Sequence, residues 1–254
     1  IKDGDVKNIY GTWKKHGPAL YPDQEFEKDK LIKSFPSTIL ELNGKLRLYY
    51  YVYSGGHCSD YNLAIAEQPF KAMEFATNWE KHSLKRNKEA YFSLEGLPDA
   101  WYPIQANVIK INSDQWRMFF WAHGDGISRF VSAESKNGLN WTVLNAEKPC
   151  LYHIGNDRDS KQNIAPHKFR SADATTVYKT PDGIFEMFSS SAIICEPQDP
   201  RYIGHDTSPG ALRFVQRWQS KDALNWERPD LILVPDEKDP IDLQFYYLSV
   251  AYLQ

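Results

Sequence analysis

A repeat of about 70 residues organises most of this sequence and limits the folds that it can adopt. Three segments share an apolar run, a tight turn and a second apolar run: STILELNGKLRLYYYVY, ANVIKINSDQWRMFFWA and ATTVYKTPDGIFEMFSS. Alignment of the first runs places Ile39, Val108, Val177 and Val250 in one register, at intervals of 69, 69 and 73 residues. So regular a spacing predicts one structural unit that is used several times.

Each unit is predicted to contain four strands. The turns Asn43-Gly44, Ser113-Asp114 and 181–183 (Pro-Asp-Gly) supply the backbone conformations that short β-hairpins need. A third alternating run follows each hairpin (NLAIAE, RFVSAE and LRFVQRW), and then a polar turn and a tryptophan, at Trp79, Trp141 and Trp226. The segments SKNGLNW and SKDALNW therefore read as the same turn into an outer strand, with the tryptophan packing between neighbouring units.

The fold class predicted from this pattern is all-β, a β-propeller of four-stranded antiparallel blades. A lone four-stranded sheet leaves a face uncovered, whereas radial packing of several sheets buries both faces. A two-sheet sandwich is the alternative, but sandwiches need no repeat. We expect one domain over 1–254 that represents part of a longer chain. Its predicted units are 31–90, 100–152 and 170–235, with a fourth beginning at 244–254 and an outer strand at 8–22 that closes the ring.

Charge and hydropathy exclude several classes of partner. Lys and Arg number 30 against 33 Asp and Glu, without a long block of either sign, so neither nucleic acid nor a membrane is an expected partner. No apolar run is long enough to span a bilayer. The 15 tyrosines and 8 tryptophans suit a β-protein, a sugar-binding surface, or both. The three cysteines leave the compartment open, and a secreted or periplasmic location is favoured if a signal peptide has been removed.

One face of the predicted propeller carries the long loops, where binding and catalysis concentrate. Five of the seven histidines fall in these loops, and we expect His57 and His123 to contact a ligand together with Asp60. No cofactor is expected, and no metal site either, because neither HxH nor HExxH spacing is present. Aromatic side chains that offer stacking surfaces to a sugar, or else pack in the core, are Trp101, Tyr102, Tyr246 and Tyr247.

Asp173 is the carboxylate that the repeat singles out. It lies four residues before Val177, at the start of a first strand, where a side chain points toward the central funnel. Arg170 precedes it by three residues and would hold it ionised. The alternative is an aspartate that caps the start of the strand through backbone amides. Glu196 follows in the loop ICEPQDP and is a second candidate.

The blade pattern resembles the five-bladed propeller glycoside hydrolases of families 43 and 32. The resemblance is carried by GPALYPD, FPSTILELNGKLRLYYYVYSG, SAESKNGLNW and RSADATTVYKTPDG, and it extends over nearly the whole chain. It implies an axial pocket with three carboxylates from successive blades: a nucleophile or base, a stabilising aspartate that often follows an arginine, and a glutamic acid. Asp173 with Arg170 is similar to the second of these, and Glu196 stands for the third.

The sequence departs from that family at the position of the nucleophile or base. The register that holds the family's first-blade aspartate is occupied here by Phe35-Pro36, and the matching positions of other units hold Ile104 and Tyr246. The candidates are Asp60, Asp242 or a residue beyond Gln254. We therefore expect a glycoside hydrolase that acts on the end of a polysaccharide or oligosaccharide. The alternatives are a non-catalytic carbohydrate-binding propeller and a lyase that uses a histidine as general base.

Overall fold

The computed structural model describes the following residues: 19–33, 39–54, 61–70, 78–124, 127–144, 146, 149–152, 170–202, 210–227, 230–246 and 248–250. Within the strands, the backbone alone is described for 33, 39–41, 127, 152, 170–174 and 194. The described residues form three β-sheets and one short 3-10 helix, Glu25–Glu27. None of the helices in the described ranges has the length and apolar character needed to cross a membrane.

The first sheet contains five strands around a central buried strand. In chain order they are Leu31–Lys33 (β1), Ile39–Leu42 (β2), Lys45–Tyr53 (β3), Asn62–Pro69 (β4) and Glu80–Ser83 (β5). Both β1 and β2 pair with β3, at its two ends, and β4 and β5 continue the sheet outward in antiparallel order. β1 and β2 together therefore take the place of the predicted first strand.

The second sheet has six strands, of which four form the predicted blade. The strands are Ser93–Glu95 (β6), Tyr102–Asn112 (β7), Gln115–Gly124 (β8), Ile127–Ser135 (β9), Asn140–Val143 (β10) and Leu151–Tyr152 (β11). β7 to β10 follow one another in antiparallel order, and β6 joins the outer edge parallel to β10. Backbone pairing with β10 thus makes Ser93–Glu95 an edge strand outside the four strands of the predicted unit.

The third sheet has four antiparallel strands in sequence order. They are Arg170–Lys179 (β12), Phe185–Ile194 (β13), Ala211–Ser220 (β14) and Asp230–Leu233 (β15). The hairpin turns lie where they were predicted, between β2 and β3, β7 and β8, and β12 and β13. In the first of them Asn43 and Gly44 have φ values of 52° and 78°, the pair of positive angles that a type I′ turn requires.

The repeated tryptophan turns pack against the preceding sheet. Trp141 is buried edge-on against Tyr49 of β3, with ring centroids 6.4 Å apart, and Trp226 contacts Phe119 of β8 at 6.0 Å in the same orientation. One hydrophobic core extends through these contacts and joins all three sheets. Radial packing of successive blades therefore holds the sheets together, as the repeat predicts, and the fold is a β-propeller of which the described residues form three blades.

Arginines fix each turn to the blade before it. Arg47 donates from Nη1 to the carbonyl of Asn137 at 2.9 Å, and Tyr49 donates its hydroxyl to the carbonyl of Gly138 at 2.7 Å. At the equivalent position of the second blade, Arg117 donates to the carbonyl of Ala223 at 3.3 Å. The buried Arg47 is held in turn by Glu67, whose Oε1 lies 2.7 Å from Nε. The carbonyls of these turns are thus part of the interface between blades.

Replacing Gly138 by alanine is expected to destabilise the protein more than the same change at Gly44. Both glycines have positive φ, so each variant loses about 1 kcal/mol to backbone strain. A Cβ at Gly138 would also lie 2.5 Å from Nη1 of Arg47, whereas no atom lies within 4 Å of a Cβ at Gly44. Because Arg47 is held by its hydrogen bonds, we expect about 1–3 kcal/mol of additional loss for Gly138→Ala. Urea denaturation of both variants measures the difference, and equal losses would contradict a tightly packed interface at this turn.

Segments before and after the blades cover the outer faces. Residues 19–30 lie on the far side of the first blade, where the backbone carbonyl of Ala19 accepts a hydrogen bond from Trp79 at 2.8 Å. At the other end, the carbonyl of Leu248 accepts from Thr176 of β12 at 3.3 Å. Residues 19–22 are not in a strand, and 1–18 lie outside the described residues, so the ring-closing role of 8–22 stays a prediction.

Candidate functional site

The first strands are interrupted at one common register. In the first blade, β1 pairs with β3 as far as Lys33–Tyr51, and β2 pairs with β3 from Ile39–Leu48 onward. The chain between Lys33 and Ile39 therefore has three more residues than the stretch of β3 between Leu48 and Tyr51. β7 gains one extra residue between Ile104 and Asn107 relative to β8. β12 gains two between Ser171 and Thr175 relative to β13. Such bulges bend a strand, re-aim its side chains and occur often beside active sites.

Asp173 lies inside the interruption of β12. Arg170 pairs with Ala192 and Ser171 with Ser191, after which regular pairing resumes at Thr175. The backbone thus places Asp173 on the innermost strand of the third blade, at the bulge and close to the end with long loops. The side chains of Asp173 and Arg170 lie outside what is described, so their contact and their orientation toward the axis stay predictions.

The corresponding bulge of β7 contains Gln105. This residue has a φ of 55°, and its side chain is buried. Two residues further on, the side chain of Asn107 is also buried, and its Oδ1 accepts a hydrogen bond at 2.8 Å from the backbone amide of Val177. That bond joins β7 directly to β12. The two bulges therefore lie on adjacent inner strands.

An aromatic cluster that contains His123 occupies the loop face between the first two blades. The rings of Tyr51, Tyr53 and Tyr61 lie within 6.2 Å of one another, measured between centroids, and the ring of Tyr61 lies 5.7 Å from that of His123. Nδ1 of His123 also shares a hydrogen bond with the hydroxyl of Ser128. All of these rings except Tyr51 are half-buried, so they offer edges and faces at the surface of this cluster.

Trp101 and Tyr246 are two of the predicted stacking residues, and an arginine guanidinium lies over the ring of each. The guanidinium of Arg129 lies 3.8 Å from the ring centroid of Trp101, and that of Arg213 lies 4.8 Å from the ring centroid of Tyr246. Both arginines begin the Arg-Phe-Val run of a third strand. Trp101 is 8% exposed and packs against Gly124, where a Cβ would lie 2.2 Å from its ring. A sugar can therefore reach only a small part of the Trp101 ring in this arrangement.

Glu196 and Asp242 lie in separate exposed turns. The carbonyl of Glu196 accepts the backbone amide of Asp199 at 2.9 Å in the turn that follows β13, and its side chain is exposed. Asp242 is exposed in a turn beyond β15. Beside Glu196, the hydrogen bond from Arg201 lowers the pKa of Asp199 to about 2. Glu196, the predicted acid, and Asp242, a candidate base, therefore make no contact with each other among the described residues.

Of the other predicted residues, Tyr102 begins β7 and is half-buried, whereas His57, Asp60 and Tyr247 fall outside the described ranges. His57 and Asp60 lie in 55–60, together with Cys58. The other two cysteines, Cys150 and Cys195, are buried, and burial raises the pKa of the Cys195 thiol. No group of three or more His, Cys, Asp and Glu side chains that could hold a metal ion is present within the described part of the chain.

Residues that the sequence analysis missed are Gln105, the tyrosine cluster and the two stacked arginines. The alternation of Tyr49, Tyr51 and Tyr53 within LYYYVY is a signal for one shared face, because side chains two apart on a strand lie on the same side. The repeated Arg-Phe-Val run is a comparable signal for the arginines. Gln105 gives no such signal, since neither a bulge nor a positive φ at glutamine follows from residue type.

A cavity of about 530 Å³ lies on the opposite face of the second blade, beside the tight turns. Its lining is polar, and several of its groups are bonded to one another, including Gln115 to Glu134 at 3.2 Å and Asn137 to Asn140 at 2.8 Å. None of the predicted site residues lines it. We place the candidate site at the bulged ends of β7 and β12 instead, because the strained and buried polar groups are found there.

The solved structures that this chain resembles include glycoside hydrolases. The catalytic domain of the GH62 alpha-L-arabinofuranosidase of Coprinopsis cinerea superposes with a TM-score of 0.50 at 13% identity, over 86% of this chain and 56% of that one. A glycosyl hydrolase from Bacteroides ovatus gives 0.48 at 13% identity, with 86% and 57% covered. An alpha-L-arabinanase mutant from Cellvibrio cellulosa gives 0.46 at 14%, with 79% and 60% covered.

Sequence comparison alone gives no relative. No protein-family model matches the chain, and no curated protein matches it. The chain spans a little over half the length of the first solved structures that it resembles. At such low identity the likeness establishes fold and not activity. Taken with the three radial sheets, it shows that the chain has the fold of the β-propeller glycoside hydrolases, as the resemblance of its blade sequences predicts.

Proposed function

We propose that the protein is a glycoside hydrolase that acts on the end of a polysaccharide or oligosaccharide, bound in an axial pocket at the bulged ends of the inner strands. The observation that carries the proposal is the interruption of β12 at Asp173, which sets a carboxylate on the innermost strand beside the equivalent bulge of β7. The fold shared with the catalytic domain of an arabinofuranosidase supports this choice of reaction.

Glycosidic hydrolysis assigns a role to each candidate carboxylate. The bond between the anomeric carbon and the leaving oxygen breaks, the leaving oxygen takes a proton from an acid, and a water supplies hydroxide to the anomeric carbon. Asp173 is proposed to stabilise the positive charge that develops on the sugar, with Arg170 holding Asp173 ionised. Glu196 is the proposed acid, and Asp242 or Asp60 is the proposed base or nucleophile.

The remaining residues are proposed to bind and orient the sugar. His123 lies in the aromatic cluster of the loop face, and its bond to Ser128 fixes the imidazole ring. His57 and Asp60 lie in sequence between Ser54 and Tyr61, and Tyr61 is a member of this cluster. Tyr246 lies under the guanidinium of Arg213, and Trp101 under that of Arg129, so both rings are held in fixed positions. These side chains would form the walls around a terminal sugar residue.

A non-catalytic carbohydrate-binding propeller is the second candidate. It is favoured by one observation, namely that the side chains of Glu196 and Asp242 are both exposed and lie in separate turns. A general acid works best in a site from which water is excluded. Under this alternative the aromatic cluster and the bulged strands bind a sugar, and no bond is broken.

Incubation with a panel of glycosides separates the candidates. The panel contains aryl α-L-arabinofuranosides, aryl β-xylosides, arabino-oligosaccharides and xylo-oligosaccharides, and products are analysed by chromatography. Release of a terminal sugar supports the hydrolase, an unsaturated product indicates a lyase, and binding in calorimetry without any product supports the binding protein. Neither binding nor turnover across the panel would contradict both candidates.

A further inference from the structure

Gln105 combines features that a purely structural residue would not be expected to have. It lies in the bulge of β7, it has positive φ, and its side chain is buried with an unsatisfied polar atom. We propose that the carboxamide of Gln105 binds the substrate directly, through hydrogen bonds to a hydroxyl of a neutral sugar held between β7 and β12. This inference rests on the proposed function and adds to it a binding residue and a preference for an uncharged sugar.

The backbone of Gln105 is strained. A φ of 55° lies in the left-handed region, which glutamine adopts rarely, while glycine and asparagine adopt it at much lower cost. The other described non-glycine residues with positive φ are Asp29, Asn43 and Ala223, and each of them lies in a turn. Gln105 lies within a strand. A glycine at this position would form the same bulge without strain, so backbone conformation gives no reason for a glutamine here.

The side chain of Gln105 is also in an unfavourable environment. It is 5% exposed, and its Oε1 has no hydrogen-bond partner among the described residues. A buried polar atom without a partner destabilises the folded state, so an apolar side chain of similar size would suit the core better. Asn107, two residues away, shows how an amide is normally accommodated, because its Oδ1 accepts the amide of Val177. Gln105 therefore retains a hydrogen-bonding group that the fold itself does not use.

The position of Gln105 matches the proposed site. Alignment of Val108 with Val177 makes Gln105 the equivalent of Ala174, one residue from Asp173, and the bulges of the two strands fall in the same register. The bond between Asn107 and Val177 holds these strands side by side just beyond the bulges. Gln105 and Asp173 thus belong to neighbouring parts of the same inner wall.

The chemistry of a carboxamide indicates which ligand it would take. Its oxygen accepts and its NH₂ group donates, so it can match a hydroxyl, which does both, and it carries no charge with which to attract an ion. Buried polar groups that are satisfied only by the ligand also discriminate strongly against analogues that lack the matching hydroxyl. A neutral sugar with its hydroxyls free is the ligand class that fits.

Replacement of Gln105 by glycine should separate binding from stability. Gln105→Gly is expected to unfold within a few degrees of the parent protein, because relief of the strain and of the unsatisfied atom offsets the lost packing and the greater freedom of glycine in the unfolded chain. Binding of arabinobiose or xylotriose, whichever the parent binds, is expected to weaken about tenfold or more in calorimetry. Asn43→Gly is the matched control, since it makes a comparable change at a positive φ in an exposed turn of the opposite face, and it should leave sugar binding unchanged.

Gln105→Leu provides a second variant of similar size. It keeps the strain but removes the polar group, so it too should lose sugar binding while retaining the unfolding temperature of the parent. If either variant binds sugar as the parent does, the role of Gln105 is wrong and the proposed function stands. A clear fall in the unfolding temperature of Gln105→Leu would show that the carboxamide is structural, which also overturns the inference. If the parent itself binds and cleaves no sugar, the proposed function fails first and the inference fails with it.

Discussion

Replacing Asp173 by asparagine is expected to reduce kcat by on the order of 10²-fold or more while leaving the protein folded. Under the proposed function, the change removes the negative charge that stabilises the oxocarbenium-like transition state, and it keeps the size of the side chain. The backbone at Asp173 is already set by the flanking pairs of β12 with β13. KM should change much less, because the charge develops on the sugar only in the transition state. Steady-state kinetics on the best glycoside of the panel measure both constants.

Asp114→Asn is the matched control for this change. Asp114 is exposed in the hairpin turn between β7 and β8, at the opposite end of the inner strands, so its kinetics should equal those of the parent. Normal turnover by Asp173→Asn would mean that the resemblance to the hydrolases does not extend to this residue. An asparagine variant that is inactive because it is unfolded would show a changed circular dichroism spectrum and would point to the capping role instead.

Replacing Glu27 by alanine is expected to cost about 3–5 kcal/mol of stability, the largest effect that we anticipate on folding. The side chain of Glu27 is 0% exposed and that of Lys81 is 1% exposed, with 3.2 Å between Oε2 and Nζ. Glu27 also accepts the hydroxyl of Tyr50 at 2.7 Å and the backbone amide of Gln24 at 3.0 Å. Its loss leaves a buried ammonium and a buried hydroxyl without this partner. Urea denaturation measures the change.

Two further variants test the cause of that loss. Glu25→Ala alters an exposed glutamate of the same short helix and should change the stability by less than about 0.5 kcal/mol. The double change Glu27→Leu with Lys81→Met removes both charges, so it should be clearly more stable than Glu27→Ala alone. If the double variant is no better than the single one, the stability at this position comes from packing and not from the paired charges.

The mechanism of the proposed hydrolase depends on which carboxylates lie close together at the propeller axis. The resemblance implies three, and the described structure sets one of them, Asp173, on an inner strand. Glu196 and Asp242 are exposed in turns, and Asp60 lies outside the described residues. The separation between the acid and the nucleophile or base would decide the stereochemical course, about 5–5.5 Å for retention and about 6.5–9.5 Å for inversion. Activity assays on variants of each carboxylate would identify the pair.

The sequence by itself determined the blades. Three local signals predicted them: the period of alternating apolar residues, the turn residues Asn43-Gly44 and 181–183, and the recurrent tryptophans. Each acts within one unit or between adjacent units, so the fold class, the hairpins and the packing of Trp141 and Trp226 between blades followed from pattern alone. A strand alternates because one of its faces is buried, and that relation does not require the rest of the molecule to be known.

The tertiary structure alone decided the features that join residues distant in sequence. The parallel pairing of β6 with β10, the burial of Glu27 against Lys81 and the bond from Asn107 to Val177 connect segments that are about 45 to 70 residues apart. The bulges at Gln105 and Asp173 likewise depend on how many residues each partner strand supplies across the sheet. No property of residue type encodes that count. The exposure of Glu196 and the burial of Gln105 follow from the same long-range packing, which is why the repeat predicted the propeller but not the composition of its site.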